Sequence, residues 1–187
     1  MEAKIVYFEK EGPANTEETL RIAKQRADEL GIKTLVVASN SGDTAVKAVE
    51  ICHGLKLVIV THVYGFREPN TLEFTEENRK IIESSGGVIL TTGHTLMGTA
   101  RALRDKYNMA GAQDIISDVL RCFGNGTKVA CEIAVMAADS GLVRTDEDVI
   151  AIGGSHGGAD AALLLTPVNA HHFFDLKIKE ILCKPHF

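Results

Sequence analysis

The sequence has no tryptophan, few aromatic residues (5%) and only four prolines. No apolar run reaches the roughly 18 residues of a membrane span, so no membrane association is expected. The first ten residues, MEAKIVYFEK, lack a basic segment followed by an apolar one. No signal peptide is therefore expected, and the cytoplasm is the default location. Neither charge sign dominates: 20 Lys and Arg stand against 25 Asp and Glu, a net charge of −5. That balance gives no electrostatic footprint for nucleic acid. The four cysteines (Cys52, Cys122, Cys131, Cys183) form no C-x-x-C pair and read as reduced, mostly buried thiols. Walker and H-E-x-x-H patterns are missing, and so are internal repeats and linkers. The 187 residues are expected to form one domain spanning 1–187.

What is present is an alternation of strand and helix patterns, organised around residues 33–50, KTLVVASNSGDTAVKAVE. Residues 34–38 are apolar and β-branched, the pattern of a buried strand. Residues 39–42 (SNSG) are small and polar and turn the chain. Residues 43–53 place Ala45, Val46, Val49 and Cys52 at helical spacing, and Gly54 stops the helix. A strand, a Ser/Gly loop and a helix start aim free N–H groups and the positive end of a helix dipole at one spot, which suits a phosphate. Ser41 and Thr44 add hydroxyl donors. The alternative is that Ser41 or Asp43 only caps the helix. The loop is not G-x-G-x-x-G, which argues against a dinucleotide site.

The rest of the chain extends this pattern. Residues 3–9 read as a first strand, broken at Gly12-Pro13. Asn15 and Glu18 have capping-box spacing before a helix that carries Leu20, Ala23, Ala27 and Leu30 on one face and ends at Gly31. Residues 56–61 (KLVIVT) form a third, central strand. The loop 62–74 is long and is a candidate functional loop. Thr75 caps a helix to about Ser85, and residues 88–92 form a fourth strand. Residues 98–109 and 112–123 read as helices, the second amphipathic through Ile115, Ile116, Val119, Leu120 and Phe123. A turn at Asn125-Gly126 leads to residues 127–140, a helix apolar on nearly every face. Residues 148–153 are a buried strand, 153–159 a second glycine-rich loop, 162–168 a strand and 176–184 an edge strand.

Alternating strands and helices imply an α/β fold whose ligands bind beyond the carboxyl ends of the strands. Four segments meet there. The candidate binding residues are Ser39, Asn40, Ser41, Gly42, Asp43 and Thr44 from the first. Thr61, His62, Tyr64, Gly65 and Phe66 come from the second, and Thr92, Gly93 and His94 from the third. Gly154, Ser155, His156 and Gly157 complete the set.

Residues 39–45, SNSGDTA after a strand, resemble the strand-plus-T-x-S-G-x-T-A segment of the C-terminal domain of pyruvate kinase. Residues 148–168, DVIAIGGSHGGADAALLLTPV, look like the same domain's strand, glycine-rich loop and returning strand. The resemblance covers about residues 33–168, and the whole chain resembles a small archaeal family of stand-alone proteins with that fold. It implies a three-layer α/β/α fold with a mostly parallel mixed sheet and an antiparallel last strand. It does not imply pyruvate kinase activity, because a catalytic barrel needs about 250 residues. By resemblance Ser39, Asn40, Ser41, Gly42 and Thr44 cradle a phosphate. Asp43 places a carboxylate where many relatives carry a neutral or basic residue. The loop GGSHGG lacks the aromatic and arginine found there in enzymes that hold a sugar bisphosphate. One phosphate therefore fits better than two. Members of the stand-alone family resemble binders of flavin mononucleotide (FMN), which makes FMN the expected cofactor. Tyr64, Phe66 and Met97 lie on the rim and give a planar ring its walls; packing within the loops is the alternative reading of each.

His62, His94 and His156 follow strand ends and read as ligand donors or proton carriers. The alternative is bonding to nearby carbonyls. No two share a helix at metal spacing, so no metal is expected. Glu132 and Asp139 interrupt the apolar helix and read as paired or rim-facing. Two functions follow. One is a binding domain that holds a phosphorylated small molecule, FMN, without chemistry of its own. The other is a small flavin-dependent or phosphate-ester enzyme with the strand-end histidines as acid and base. A third reading, a structural module that forms a homo-oligomer as the pyruvate kinase domain does, leaves the two glycine-rich loops unexplained.

Overall fold

The computed structural model describes residues 2–187. The order of elements among them is β1 (Val6–Phe8), α1 (Thr16–Leu30), β2 (Thr34–Ala38), α2 (Asp43–Ile51), β3 (Lys56–Val60), α3 (Glu76–Ser84) and β4 (Val88–Leu90). There follow α4 (Gly98–Tyr107), α5 (Ala112–Arg121), α6 (Asn125–Asp139), β5 (Val149–Gly153), β6 (Ala161–Thr166) and β7 (Lys177–Pro185). One sheet holds all seven strands in the order β1-β7-β6-β5-β2-β3-β4. Strands β5, β2, β3 and β4 are mutually parallel. Strand β6 runs against both its neighbours, and β7 pairs parallel with β1. The expected antiparallel pairing of the last strand is that of β7 with β6.

The period of two along β2 separates the layers. Leu35 and Val37 join Leu20, Ala23, Ala45, Ala48 and Ile82 from α1, α2 and α3 in one core. Val36 points the other way and joins Ala130, Ile133, Ala134 and Ala137 of α6. Helices thus cover both faces, which is why the central strands read as unbroken apolar runs. Each fully buried Leu, Ile or Val contributes about 1.5–3 kcal/mol.

Three local expectations are corrected. Strand β7 is not an edge, because Val6 and Phe8 of β1 pair with Cys183 and Pro185. Its first half, from Lys177, extends past β1 and is exposed, and that half carries the alternation of an edge. Asn15 does not cap α1. Pro13 starts a 3-10 turn that makes Asn15 already helical, and its side chain donates to the Lys10 carbonyl at 2.7 Å. Asn125-Gly126 is not a turn but the start of α6; Gly124, with φ 112°, turns the chain one residue earlier. Thr75 does cap α3, accepting from the Asn78 N–H at 3.2 Å.

Helix α6 meets the end of β5 at close backbone range. A Cβ on Gly153 would stand 2.2 Å from the Gly126 carbonyl oxygen, and one on Gly126 would stand 2.4 Å from Asp160 Oδ1. Asp160 is fully buried. Its Oδ2 accepts the Gly12 N–H at 2.9 Å, and its Oδ1 has no hydrogen-bond partner among the described residues. Burial pushes the Asp160 pKa above the usual carboxylate value; the Gly12 N–H opposes this and the charge of Glu11 adds to it.

Gly153→Ala is expected to lower stability by about 3 kcal/mol, the upper end for overpacking, because backbone rather than a flexible side chain must move. Urea unfolding reads this as a lower midpoint at unchanged slope; an unchanged midpoint would mean that α6 can slide. The raised pKa of Asp160 favours the fold below the unfolded carboxyl's ordinary 3.8, and that contribution is lost as pH rises through the folded value. Asp160→Asn keeps an acceptor for Gly12 and has no proton to lose. It is expected to gain on the wild type as pH rises above the unfolded carboxyl's 3.8, until the folded carboxyl ionises. A constant difference would show that the Asp160 pKa is not raised by folding.

Candidate functional site

The strand order switches direction between β5 and β2. From β2 the chain continues outward to β3 and β4, while β5 lies on the other side of β2. Loops that leave two such strands diverge and open a crevice. A cavity of about 230 Å³ fills it. Its lining comes from the β2–α2 loop, the ends of β3 and β4, the loop after β5 and the first three turns of α6.

The β2–α2 loop presents backbone donors. Ser39 Oγ accepts the Ala45 N–H at 3.2 Å and caps the helix from six residues back. Ser41 Oγ is a long 3.4 Å from the Asp43 nitrogen. The N–H groups of Asn40, Ser41, Gly42 and Thr44 meet no protein acceptor among the described residues. Gly42, with φ 102°, bends the loop as L side chains rarely can. The Asp43 carboxylate turns aside: it accepts from Ser41 Oγ at 2.8 Å and from Asn78 Nδ2 at 3.0 Å. The carboxylate that speaks against an anion is thus held by neighbouring side chains. Helices α2 and α6 both begin at the cavity, so two positive dipole ends face it.

Opposite this loop lies a cluster of ionisable groups. His62 Nδ1 bonds to Glu73 Oε2, and Arg67 Nε donates to Glu73 Oε1 at 2.5 Å. Burial alone would raise the Glu73 pKa, but these two partners outweigh it and hold it below the usual carboxylate range. The ring of Phe66 stacks on His62 at 3.8 Å and lies 5.6 Å from His94. Burial lowers the His94 pKa; Glu132 opposes this, and His62 and Lys128 add to it. His94 is therefore a neutral imidazole at pH 7, and its Nε2 is buried without a partner among the described residues. On α6, Lys128 and Glu132 form an ion pair one turn apart, with side chains 2% and 5% exposed. Glu132 Oε1 also accepts the Leu96 N–H at 2.7 Å. Both residues line the cavity.

Ten of the expected residues line this cavity: Ser39, Asn40, Thr44, Thr61, His62, Phe66, His94, Gly154, His156 and Gly157. Ser41 lines an adjoining cleft with Arg67 and Glu73. Gly65 and Gly93 line another, of about 350 Å³, with Met97 and Arg101. Tyr64 is 60% exposed and, like Thr92, lies outside these linings. His156 stands apart from the other two histidines, bonded to Glu11 at 2.8 Å on the opposite rim. Residues 153–157 have the G-x-S-x-G spacing of a nucleophile elbow, a pattern the motif reading passes over. Here the strand leads to another strand instead of a helix, and the Ser155 hydroxyl is buried without a histidine partner. The three buried thiols are inert: burial pushes Cys52 up to about 11, and Cys131 and Cys183 up to about 12. Sequence reasoning missed Lys128. Its signal was available, since Lys128 and Glu132 stand four apart in a helix otherwise apolar on every face.

A buried ion pair is a poor stabiliser, but a half-broken one is worse. Glu132→Ala strands the ammonium and frees the Leu96 N–H, and is expected to cost about 3–5 kcal/mol. The double variant Lys128→Met, Glu132→Leu is expected to recover most of that loss. Urea unfolding of the single and double variants checks this; strictly additive losses would mean that the two charges do not interact.

The family model described as pyruvate kinase, alpha/beta domain, matches residues 17–163. Among solved structures, a pyruvate kinase of Cryptosporidium parvum aligns at 13% identity and a TM-score of 0.42, over 83% of this chain and 24% of its own. A complex of Cryptosporidium parvum pyruvate kinase with ADP aligns at 14% identity and a TM-score of 0.41, over 82% of this chain and 23% of its own. The chain thus spans about a quarter of the length of these enzymes. With the family model covering most of its sheet and both glycine-bearing loops, the chain belongs to the pyruvate kinase alpha/beta domain family.

Proposed function

We propose that this domain binds a phosphate-bearing small molecule, FMN, in the cavity at the carboxyl ends of the strands, without pyruvate kinase activity. The carrying observation is the β2–α2 loop, where four N–H groups without protein acceptors stand at a helix N-terminus. A phosphate there is met by Asn40, Ser41, Gly42 and Thr44, and by the Thr44 hydroxyl, which has no protein partner among the described residues. Lys128 and the α6 dipole add positive potential from the facing side. The apolar part of the lining supports a ring as well. Val60, Val129, Ile133 and Met136 give it apolar walls, and the cleft past Phe66 and Met97 extends it outward. FMN, when bound, supplies a redox-active ring; this chain's residues hold and orient it. The missing second cationic subsite in the loop after β5 favours one phosphate over two.

A second reading, a flavin-dependent or phosphate-ester enzyme, draws on the His62–Glu73 pair beside the neutral His94. A carboxylate that fixes one imidazole next to a second offers a proton route. On this reading His94→Ala reduces turnover far more than ligand affinity.

The test is the visible absorption of the purified protein, taken before and after denaturation and filtration, followed by titration of the apoprotein with FMN. A flavin band that travels with the folded protein and is released on unfolding is expected. Thr44→Val removes one hydroxyl from the phosphate at nearly constant volume and is expected to weaken FMN binding roughly 10- to 100-fold, the worth of a hydrogen bond to a charged group. A colourless protein that also fails to bind added FMN would sink the ligand assignment. Equal affinity in Thr44→Val would move the phosphate away from this loop.

A further inference from the structure

Helix α5 is folded inside out. Its buried residues are Asp114 and Ser117. Ile115 and Val119, four residues apart on one face of α5, and Phe123, in the turn two residues past its end, are 61%, 57% and 49% exposed. Polar anchoring accounts for the inward side: Asp114 Oδ2 accepts the Gly111 N–H at 2.9 Å, and the same carboxylate pairs with Arg104 of α4. Apolar side chains of this size, aligned and rimmed by charges, mark an interaction surface.

The pattern of the stripe selects its occupant. It is symmetric about Val119, with a large apolar residue four positions to either side. The exposed charges beside Val119 are antisymmetric, with Asp118 on the side of the helix start and Arg121 at its end. We propose that a second copy of this chain covers the stripe, with α5 packed antiparallel on its twin across a twofold axis at Val119. Ile115 of each copy then meets the other's Phe123, and Val119 meets its equivalent. Asp118 of one copy lies beside Arg121 of the other, and the two helix dipoles oppose. Arg121 and Asp118 now pair within the same helix at 2.7 Å with both side chains well exposed, so exchanging that partner costs little. Three half-exposed side chains per copy and their charged rim bury on the order of 1,000 Å² in total, the low end of specific interfaces. The dimer is therefore reversible. It does not depend on what the cavity holds.

Sedimentation equilibrium over a dilution series is the test, run on the apoprotein so that ligand plays no part. The weight-average mass is expected to rise from one chain towards two with concentration. Val119→Glu, at a solvent-facing position, is expected to keep the circular dichroism spectrum and the urea midpoint and to remain a single chain at every concentration. Val119→Cys with the exposed Cys122→Ser is expected to form a reducible, covalent dimer on mild oxidation. A wild type that stays at one chain's mass throughout would overturn the proposal. So would a Val119→Glu variant that associates like the wild type, since its contact would then lie elsewhere. Failure of the cysteine variant to cross-link while the wild type dimerises would overturn the twofold at Val119.

Discussion

Helix α6 touches the sheet through backbone where it begins, and the site is a product of that contact. Gly126 and Gly153 leave no room for a side chain between helix and strand. The first turns of α6 are therefore drawn down to the strand ends, where a helix one side chain further away would stand clear of them. Lys128 and Glu132 then open into the cavity beside Val129, Ile133 and Met136, while Ala130, Ala134 and Ala137 are sealed against β2, β5 and β6. The same closeness brings Asp160 against the first turn of α6 and ties it to Gly12, so the chain before α1 is fastened to the chain before β6. A segment ahead of the first helix and a loop after the fifth strand become one wall. Glycine costs roughly 0.5–1 kcal/mol relative to alanine inside a helix; at Gly126 that cost is outweighed by the packing it allows.

The charges in this region are not economical as stabilisers. Replacing a buried pair such as Lys128–Glu132 by apolar residues is often neutral or better for stability. The ammonium has three donors, and Glu132 is its one hydrogen-bond partner among the described residues. His94 presents a second unmatched polar atom to the same region. Groups that a core would match or eliminate are instead retained around a cavity that two helix N-termini already make positive. That concentration of unmet donors is the physical support for an anionic, hydrogen-bonding ligand. It also explains why Asp43 does not defeat such a ligand, since Asn78 and Ser41 hold its carboxylate to the side.

Much of this was legible in the residues, and the failures have causes. The layers, the strands and the convergence of four loops follow from the apolar runs and from punctuation at Gly31, Gly54 and Thr75. These are local signals, and the structure places the elements where the signals stand. The loop 39–44 was legible as a donor site for the same reason. Lys128 was overlooked although its partner Glu132 stands four residues on, because the face that a charge pair takes in an apolar helix is set only when the helix docks. Asn15 misled because its capping spacing is sound, but Pro13 had already started the helical turn. Strand β7 misled because half of it is an edge and half is not.

Amphipathic spacing says which residues of a helix are alike and leaves open which of them face inward. In α1 the apolar stripe meets a bare sheet and becomes core. Helix α5 meets no sheet, because α6 already covers that face, and α6 offers it only a narrow ridge. Leu120 packs there, and Ile116 is half covered. The wider part of the stripe, Ile115, Val119 and Phe123, has nothing beneath it. What decides its orientation is polar: Asp114 is fixed between the Gly111 N–H and Arg104, and α5 rotates to suit that anchor. An apolar face left outward by a rigid polar anchor is a feature of the fold. Among the described residues nothing packs on that face, which is why it reads as an interaction surface.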